Sequence, residues 1–369
     1  MVAPYIISAL VFASLFALMA MGLTLTYMTT KVPNFAYGSF VTIGLYTSYT
    51  VVKVYHSNPY VGSLIAFAVS GAASVVMYLA VLRPLAKRGS PLVSQMIATF
   101  GIDIGFVGIF GIYTDYLQGV YKFIDAKQFF QLGPDFTLFG LQGIVYVAPI
   151  SLSIITLGIY LLFTRTRFGV AMRASVENPP LARILGINVD VVYTFSWLLA
   201  GGLAGLAGAL YTLQLPGGTS TGSNLIVEIF ASSVLGGLTS IFGAAIGGLM
   251  IGSSEDLVTI WLAQGFGAVG TGIIVVLLVL IGYGTYRRRG MRNKMAGAVL
   301  AAFGIWIAVD WASGFPIDFL AGEVLNGFGP NVTPFQQAIP LLIMVITLLV
   351  LPKGIVSVNF RRLISRLKR

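Results

Sequence analysis

The sequence predicts an all-α fold: a polytopic membrane helix bundle with one broken, re-entrant Gly-rich hairpin and one short helix at the cytoplasmic face. Three observations carry this reading. Of 369 residues, 57% are hydrophobic and 9% charged, and the mean hydropathy is +0.91. A soluble protein carries about 25% charged residues, and no water-soluble fold hides this much apolar surface. The apolar residues also fall in continuous runs rather than in period-two alternation, which argues against strands. Finally, the basic residues stand in short clusters beside those runs, which is a topology signal. The pI near 9.7 therefore does not point to nucleic acid as a partner.

The elements follow in chain order. Residues Ala3 to Tyr27 are apolar throughout and lack a basic region ahead of them, so they read as a spanning helix and not as a cleaved signal. Further apolar runs cover 33–52, 61–82, 94–113, 146–163, 191–213, 226–252, 269–286, 295–313 and 338–352. Most are long enough to cross about 30 Å of hydrocarbon. Basic clusters occur at Arg83, Lys87 and Arg88; at Arg165, Arg167, Arg173 and Arg183; from Arg287 to Lys294; and from Lys353 to Arg369. These hold 18 of the 22 basic residues and are expected to be cytoplasmic. Segments 114–145, 253–268 and 314–337 hold most of the acids and are expected outside.

The run 226–252 breaks simple counting. If it crossed once, the next helix would carry Arg287–Arg289 to the outside, against the charge rule. The conflict disappears if the run is a broken pair that returns to the side it entered from. Gly236, Gly237 and Gly243 around Thr239 and Ser240 supply the break. Non-helical backbone at membrane depth is tolerated only against protein or a watery cavity, so the break points to a translocation path. The resulting topology has the N-terminus outside and the C-terminus in the cytoplasm.

Between the runs 146–163 and 191–213 lies a polar hairpin, Arg165 to Asp190, with four Arg against Glu177 and Asp190. Asn178 is a suitable N-cap, and Pro179 and Pro180 occupy the first turn, where no helical N–H is lost. Leu181 to Leu185 continue the helix and Gly186 suits its left-handed end. A membrane protein that holds a capped helix at its cytoplasmic face has something to dock there.

Other features carry less. Small residues at helical spacing form stripes at Gly201, Gly205 and Ala209, at Ala200, Ala204 and Gly208, at Gly243 and Gly247, and at Gly248 and Gly252. Their plain reading is close helix packing in lipid. Asn34 follows Pro33 at the start of the second run; Asp103 and Glu228 lie within runs. Charges in a bilayer are costly and face a bundle interior or water. Glu228 can line a path or tie helices by hydrogen bonds. Asp103 is read as structural and Asp310 as interfacial. His56 is the one histidine and there is no cysteine, so a His-rich or thiolate metal site is excluded. No phosphate-binding loop, nucleophile elbow, zinc-binding helix motif or Arg-rich voltage sensor is present. Active transport would thus draw on an ion gradient or on a partner, and the basic hairpin favours a partner.

The residues RASVENPPLARILGINVDVVYTFSWLLAGGLAGLAGALY, together with GLTLTYMTTKVPNFAYGSFVTIGLY, GGLTSIFGAAIGGLMIG and LVLPKGIV, resemble the permease subunits of branched-chain amino-acid ABC importers, and most of all the LivH type. Tyr37 stands where that family usually has histidine. The resemblance covers about 5–265 and 338–356 of a single permease domain, 1–369; the segment at about 270–335 departs from it. It implies a second permease subunit, two cytoplasmic ATPases, an extracellular substrate-binding protein, and alternating access between the two permeases in the cell membrane. It implies no enzyme activity and no cofactor for this chain, ATP being used by the partners. Asn178–Gly186 would be the coupling helix, with Glu177, Asn178, Ala182, Arg183 and Gly186 at the contact. Asn34, Tyr37, Gly38 and Glu228 are the candidates for the path. Urea, short amides or other small amino acids remain as alternative substrates, and an ion-coupled secondary transporter or a membrane scaffold as alternative classes.

Overall fold

The order of elements follows the hydropathy profile, and their ends are set by caps and glycines. In the computed structural model residues 3–129, 132, 135–263, 340, 341, 344 and 345 are described. The runs 269–286 and 295–313, most of 338–352, the two basic clusters after residue 286, Asp310 and the segment 270–335 lie outside them. The chain divides into two compact units, 1–254 with 337–369, and 255–336. The account below concerns the first.

Helix α1 (Ala3–Thr30) ends at Lys31, whose φ is +57°. After a non-helical stretch, α2 (Tyr37–Lys53) begins inside the bundle. Helix α3 (Pro59–Met77) starts on Asn58, whose side chain accepts from the Tyr60 N–H at 2.9 Å. It continues through a π turn (Tyr78–Leu82) into α4 (Arg83–Lys87). Pro84 explains the turn: it has no N–H for the carbonyl one turn back, and Arg83 N–H bonds Tyr78 O instead. Next come α5 (Leu92–Tyr121), α6 (Ile144–Arg165), α7 (Arg167–Glu177), α8 (Pro179–Ile184), α9 (Val189–Tyr211), α10 (Thr221–Gly236) and α11 (Ile241–Ala263). Two-residue strands β1 (Gln128–Phe129) and β4 (Gly217–Gly218) pair antiparallel, as do β2 (Thr137–Leu138) and β3 (Leu141–Gln142). Among the described residues five helical stretches are long and apolar enough to cross a membrane. The expected all-α membrane bundle is what forms.

Helix α9 is the axis. It packs against α1, α2 and α3, and its residues Ala200 to Leu210 are all buried. Lipid gives no hydrophobic reward for helix contact, so close backbone packing and hydroxyl bonds must hold such a bundle. Both are present. A Cβ on Gly44 would strike the backbone of Gly205, and one on Gly201 would strike Ser74. Ser70 Oγ donates to Phe40 O at 2.8 Å, and Ser74 Oγ donates to Trp197 O. The stripes Gly201/Gly205 and Ala200/Gly208 thus pack the centre, as their spacing suggested.

The expected break is observed. Gly237, at φ +98°, ends α10, and Ser240 Oγ accepts from the Gly243 N–H at 3.1 Å to cap α11. The two helices run antiparallel: Gly236 meets Gly243, and Gly247 meets Ser232. Gly248 and Gly252 then lie on Ala17 and Ala13 of α1, so α11 climbs back along α1 towards its N-terminal end. The limbs are longer than 226–252. Ser253 and Ser254 turn their hydroxyls onto carbonyls of the preceding turn (2.6 and 2.9 Å), so the polar pair does not stop α11. Residues 253–263, part of the segment expected outside, continue the helix. Helix α5 likewise outruns its apolar segment of 94–113. Thr114 and Leu117 remain buried, and the helix ends only at Lys122 with φ +59°.

Gly44→Val should lower the stability of the bundle by about 1–3 kcal/mol, the usual cost of overpacking. Gly105→Ala on the open face of α5, where nothing lies within 4 Å, should instead raise it by about 0.5–1 kcal/mol, the helix preference of Ala over Gly. Thermal unfolding of the two variants in one detergent compares them directly.

Candidate functional site

Two places combine unusual chemistry with a defined scaffold. The first is the break between α1 and α2. Pro33 and the left-handed Lys31 keep this stretch out of helix, and Val32, Asn34 and Ala36 are buried in it. Phe35 N–H bonds Thr99 Oγ1 of α5 at 3.2 Å, and the Phe35 ring packs on Phe100 and on Phe230 of α10. The break is therefore held by α5 and α10 together.

Asp103 sits beside it and is fully engaged. Ser39 Oγ of α2 donates to one carboxylate oxygen at 2.5 Å and Ser223 Oγ of α10 to the other at 2.8 Å. Three helices meet on one carboxylate, which agrees with its structural reading. Asn34 differs: it is 1% exposed, and neither its amide nitrogen nor its amide oxygen has a hydrogen-bond partner. Buried polar groups are nearly always paired, so this unmet capacity keeps Asn34 a candidate position. Tyr37 is wholly buried and its hydroxyl donates to Ala200 O at 3.3 Å. Gly38 lies against Gly222, each leaving no room for a Cβ on the other, and the Gly222 N–H bonds Thr42 Oγ1 at 3.0 Å. Glu228 is 2% exposed on α10, two residues before Phe230. The structure thus brings Asn34, Tyr37, Gly38 and the α10 segment that carries Glu228 to one region. Sequence reading missed Ser39, Ser223 and Thr99, because single hydroxyls inside apolar runs give no signal until their partners, 64 and 120 residues away, are known.

The second place is α8. Asn178 Oδ1 accepts from the Leu181 N–H at 3.1 Å, and its own N–H still bonds Ala174 O, so one residue closes α7 and opens α8. Gly186, at φ +81°, bonds Arg183 O, and Ile187 N–H bonds Ala182 O, a Schellman ending. Ala182 is buried against the chain's own helices, while Glu177 and Arg183 are exposed. Leu181, Ile184 and Leu185 point outward with exposures of 50%, 81% and 70%. This apolar triad was not singled out from sequence, although three apolar residues at i, i+3 and i+4 of a helix lying outside the spans were the available signal. Asp190 anchors the end of the hairpin through Arg83, with Lys87 and Arg183 each at 3.8 Å. No cluster of metal-ligating side chains occurs among the described residues.

A bundle of membrane-length helices with a broken interior hairpin and a short capped helix between two of the spans has the architecture of a membrane transport subunit. The comparisons agree. The family model described as branched-chain amino acid transport system / permease component matches residues 5–282. The chain is 41% identical over 82% of its length, and 91% of the relative's, to a probable branched-chain amino acid transport permease protein LivH of Methanocaldococcus jannaschii. It is 26% identical to the high-affinity LivH permease protein of Escherichia coli K12, covering 73% of this chain and 89% of that one. BraD of Pseudomonas aeruginosa is likewise 26% identical, over 68% of this chain and 84% of that one. No solved structure matches. The chain belongs to the branched-chain amino acid transport permease family.

Asp103→Ala should destabilise the bundle by about 1–3 kcal/mol, since it removes the acceptor of one buried and one half-buried hydroxyl that join three helices. Asp103→Asn keeps an acceptor for one of them and should lie between the alanine variant and the parent chain. Denaturation midpoints of the three proteins measure this.

Proposed function

We propose that this chain is one of a pair of permease subunits in an ATP-driven importer of branched-chain amino acids. Substrate arrives from an extracellular binding protein, and two cytoplasmic ATPases drive alternating access. The observation that carries the proposal is α8: a six-residue helix capped at both ends, held on a buried alanine, that offers Leu181, Ile184 and Leu185 to something outside the chain. The names of the relatives supply the substrate class. In this reading the basic end of the bundle is cytoplasmic, the N-terminus is outside and the C-terminus inside. In the same reading the chain has no ATPase site of its own and binds no cofactor, and ATP is hydrolysed by the partner subunits.

The path runs past the α1–α2 break and the α10–α11 hairpin. Asn34 supplies an amide with donors and an acceptor to spare, which suits both ends of a zwitterion. Glu228 supplies an anionic group for a passing ammonium. Tyr37 and Gly38 keep the break seated on α9 and α10. Glu177, Asn178, Ala182, Arg183 and Gly186 shape and hold the coupling helix, and the apolar triad makes the contact.

The assembled transporter tests this. Ile184→Asp should cut uptake and substrate-stimulated ATP hydrolysis at least about tenfold, as expected for a charge placed at a contact centre. The amount of permease in the membrane should not change. Normal uptake would remove α8 from the coupling role. Glu228→Gln keeps shape and hydrogen bonding but loses the charge. It should slow leucine uptake while the complex keeps its stability and basal ATPase rate. Unchanged uptake would take Glu228 off the path.

A further inference from the structure

Where α1 stops, α3 gives way to α4, and α5 and α9 begin, the bundle forms a half-open cavity of about 270 Å³ with a mixed apolar and charged lining. Thr30 of α1, Arg83 and Lys87 of α4, Gln95 of α5, Arg183 of α8 and Asp190 of α9 line it. Three cations thus face one carboxylate. That carboxylate is mostly spent on Arg83; Lys87 and Arg183 reach it only at 3.8 Å, well beyond a charge-assisted hydrogen bond. Arg83 Nε is buried and unpartnered. Gln95 uses one amide hydrogen on Ser90 O at 2.9 Å and keeps another. Helix dipoles oppose one another here, since α5 and α9 begin at the cavity while α1 and α4 end at it, so the side chains set its potential. The walls carry a surplus of two positive charges and of N–H donors.

The cavity also lies at the end of the membrane-length stretch Pro59–Lys87, whose 29 residues, spanning a bilayer, would carry that end to the headgroups. We propose that it binds a phosphate-bearing anion, either the headgroup of an anionic phospholipid or a free phosphate group. Such an anion would join Lys87 of α4 to Arg183 of α8, and so tie the short helix to the bundle. The idea needs neither the transported substrate nor an ATPase partner, so it stands apart from the proposed function.

The test uses the full-length chain in three lipid nanodisc preparations: phosphatidylcholine alone, phosphatidylcholine with a minority of phosphatidylglycerol, and phosphatidylcholine with millimolar inorganic phosphate. Thermal unfolding midpoints, and lipid retained in native mass spectrometry, are the readouts. A midpoint raised by phosphatidylglycerol but not by phosphate assigns a lipid headgroup. A rise with phosphate, with or without the lipid response, assigns a free anion. In whichever arm responds, Lys87→Gln should weaken the apparent affinity about fivefold, the worth of one interfacial cation. Arg88→Gln, a neighbouring cation outside the cavity lining, loses only the general attraction to an anionic surface and should weaken it less than Lys87→Gln does. Lys87 is 61% exposed, so its variant should match the parent chain in phosphatidylcholine alone. No rise in either arm, or equal losses in the two variants, overturns the proposal.

Discussion

The bundle depends on how near backbones can come to α9. Membrane helices gain nothing from removing apolar surface from water, so what holds them is dispersion and hydrogen bonding at short range. Glycines along α9 and on its neighbours bring carbonyls within reach of hydroxyls. Ser70, Ser74 and Tyr37 then bond backbone oxygens of other helices. Without the glycines the two serine hydroxyls would turn back to their own helix, as Thr47 and Thr50 do on α2. Close approach and interhelical bonding are one device here.

Around that axis the interior treats its polar groups in two ways. Asp103 is saturated by hydroxyls from two other helices, and it fixes where α2, α5 and α10 meet. Asn34, at the end of the same break, keeps a buried amide unspent. This contrast, a carboxylate bonded on both oxygens beside an amide with unmet bonding capacity, is the ground on which Asn34 is proposed for the path. The same division recurs at α8, where Ala182 and the two caps fix the helix and the apolar triad is left facing outward.

Much of this was legible in the sequence, for reasons that differ by element. The α8 helix could be read almost residue by residue, because its caps are local: Asn178 acts three residues away and Gly186 acts on its own turn. The break at Gly237 and Ser240 was likewise local. Helix ends in the long spans were not. Hydropathy reports where lipid stops, whereas a helix stops where its hydrogen bonds do, and α5 and α11 run on past their apolar residues. The partners of Asp103 were hidden for another reason. Serine in an apolar run satisfies itself on its own helix in most cases, and only the tertiary arrangement shows which serines reach across.

The contact of Gly44 with Gly205 limits how this protein can drift. In an ordinary core, a side chain that grows on one wall is accommodated by one that shrinks on the other. Here neither partner has a side chain to give up, and the colliding atoms are backbone. Compensation is closed off, so the seam cannot be crossed by paired small steps. Variation is left to the outer sides of α5 and α6, where residues such as Ile112 and Ile154 are largely exposed on this chain. The two sides of the same bundle would evolve under different rules, one invariant by geometry and the other nearly free.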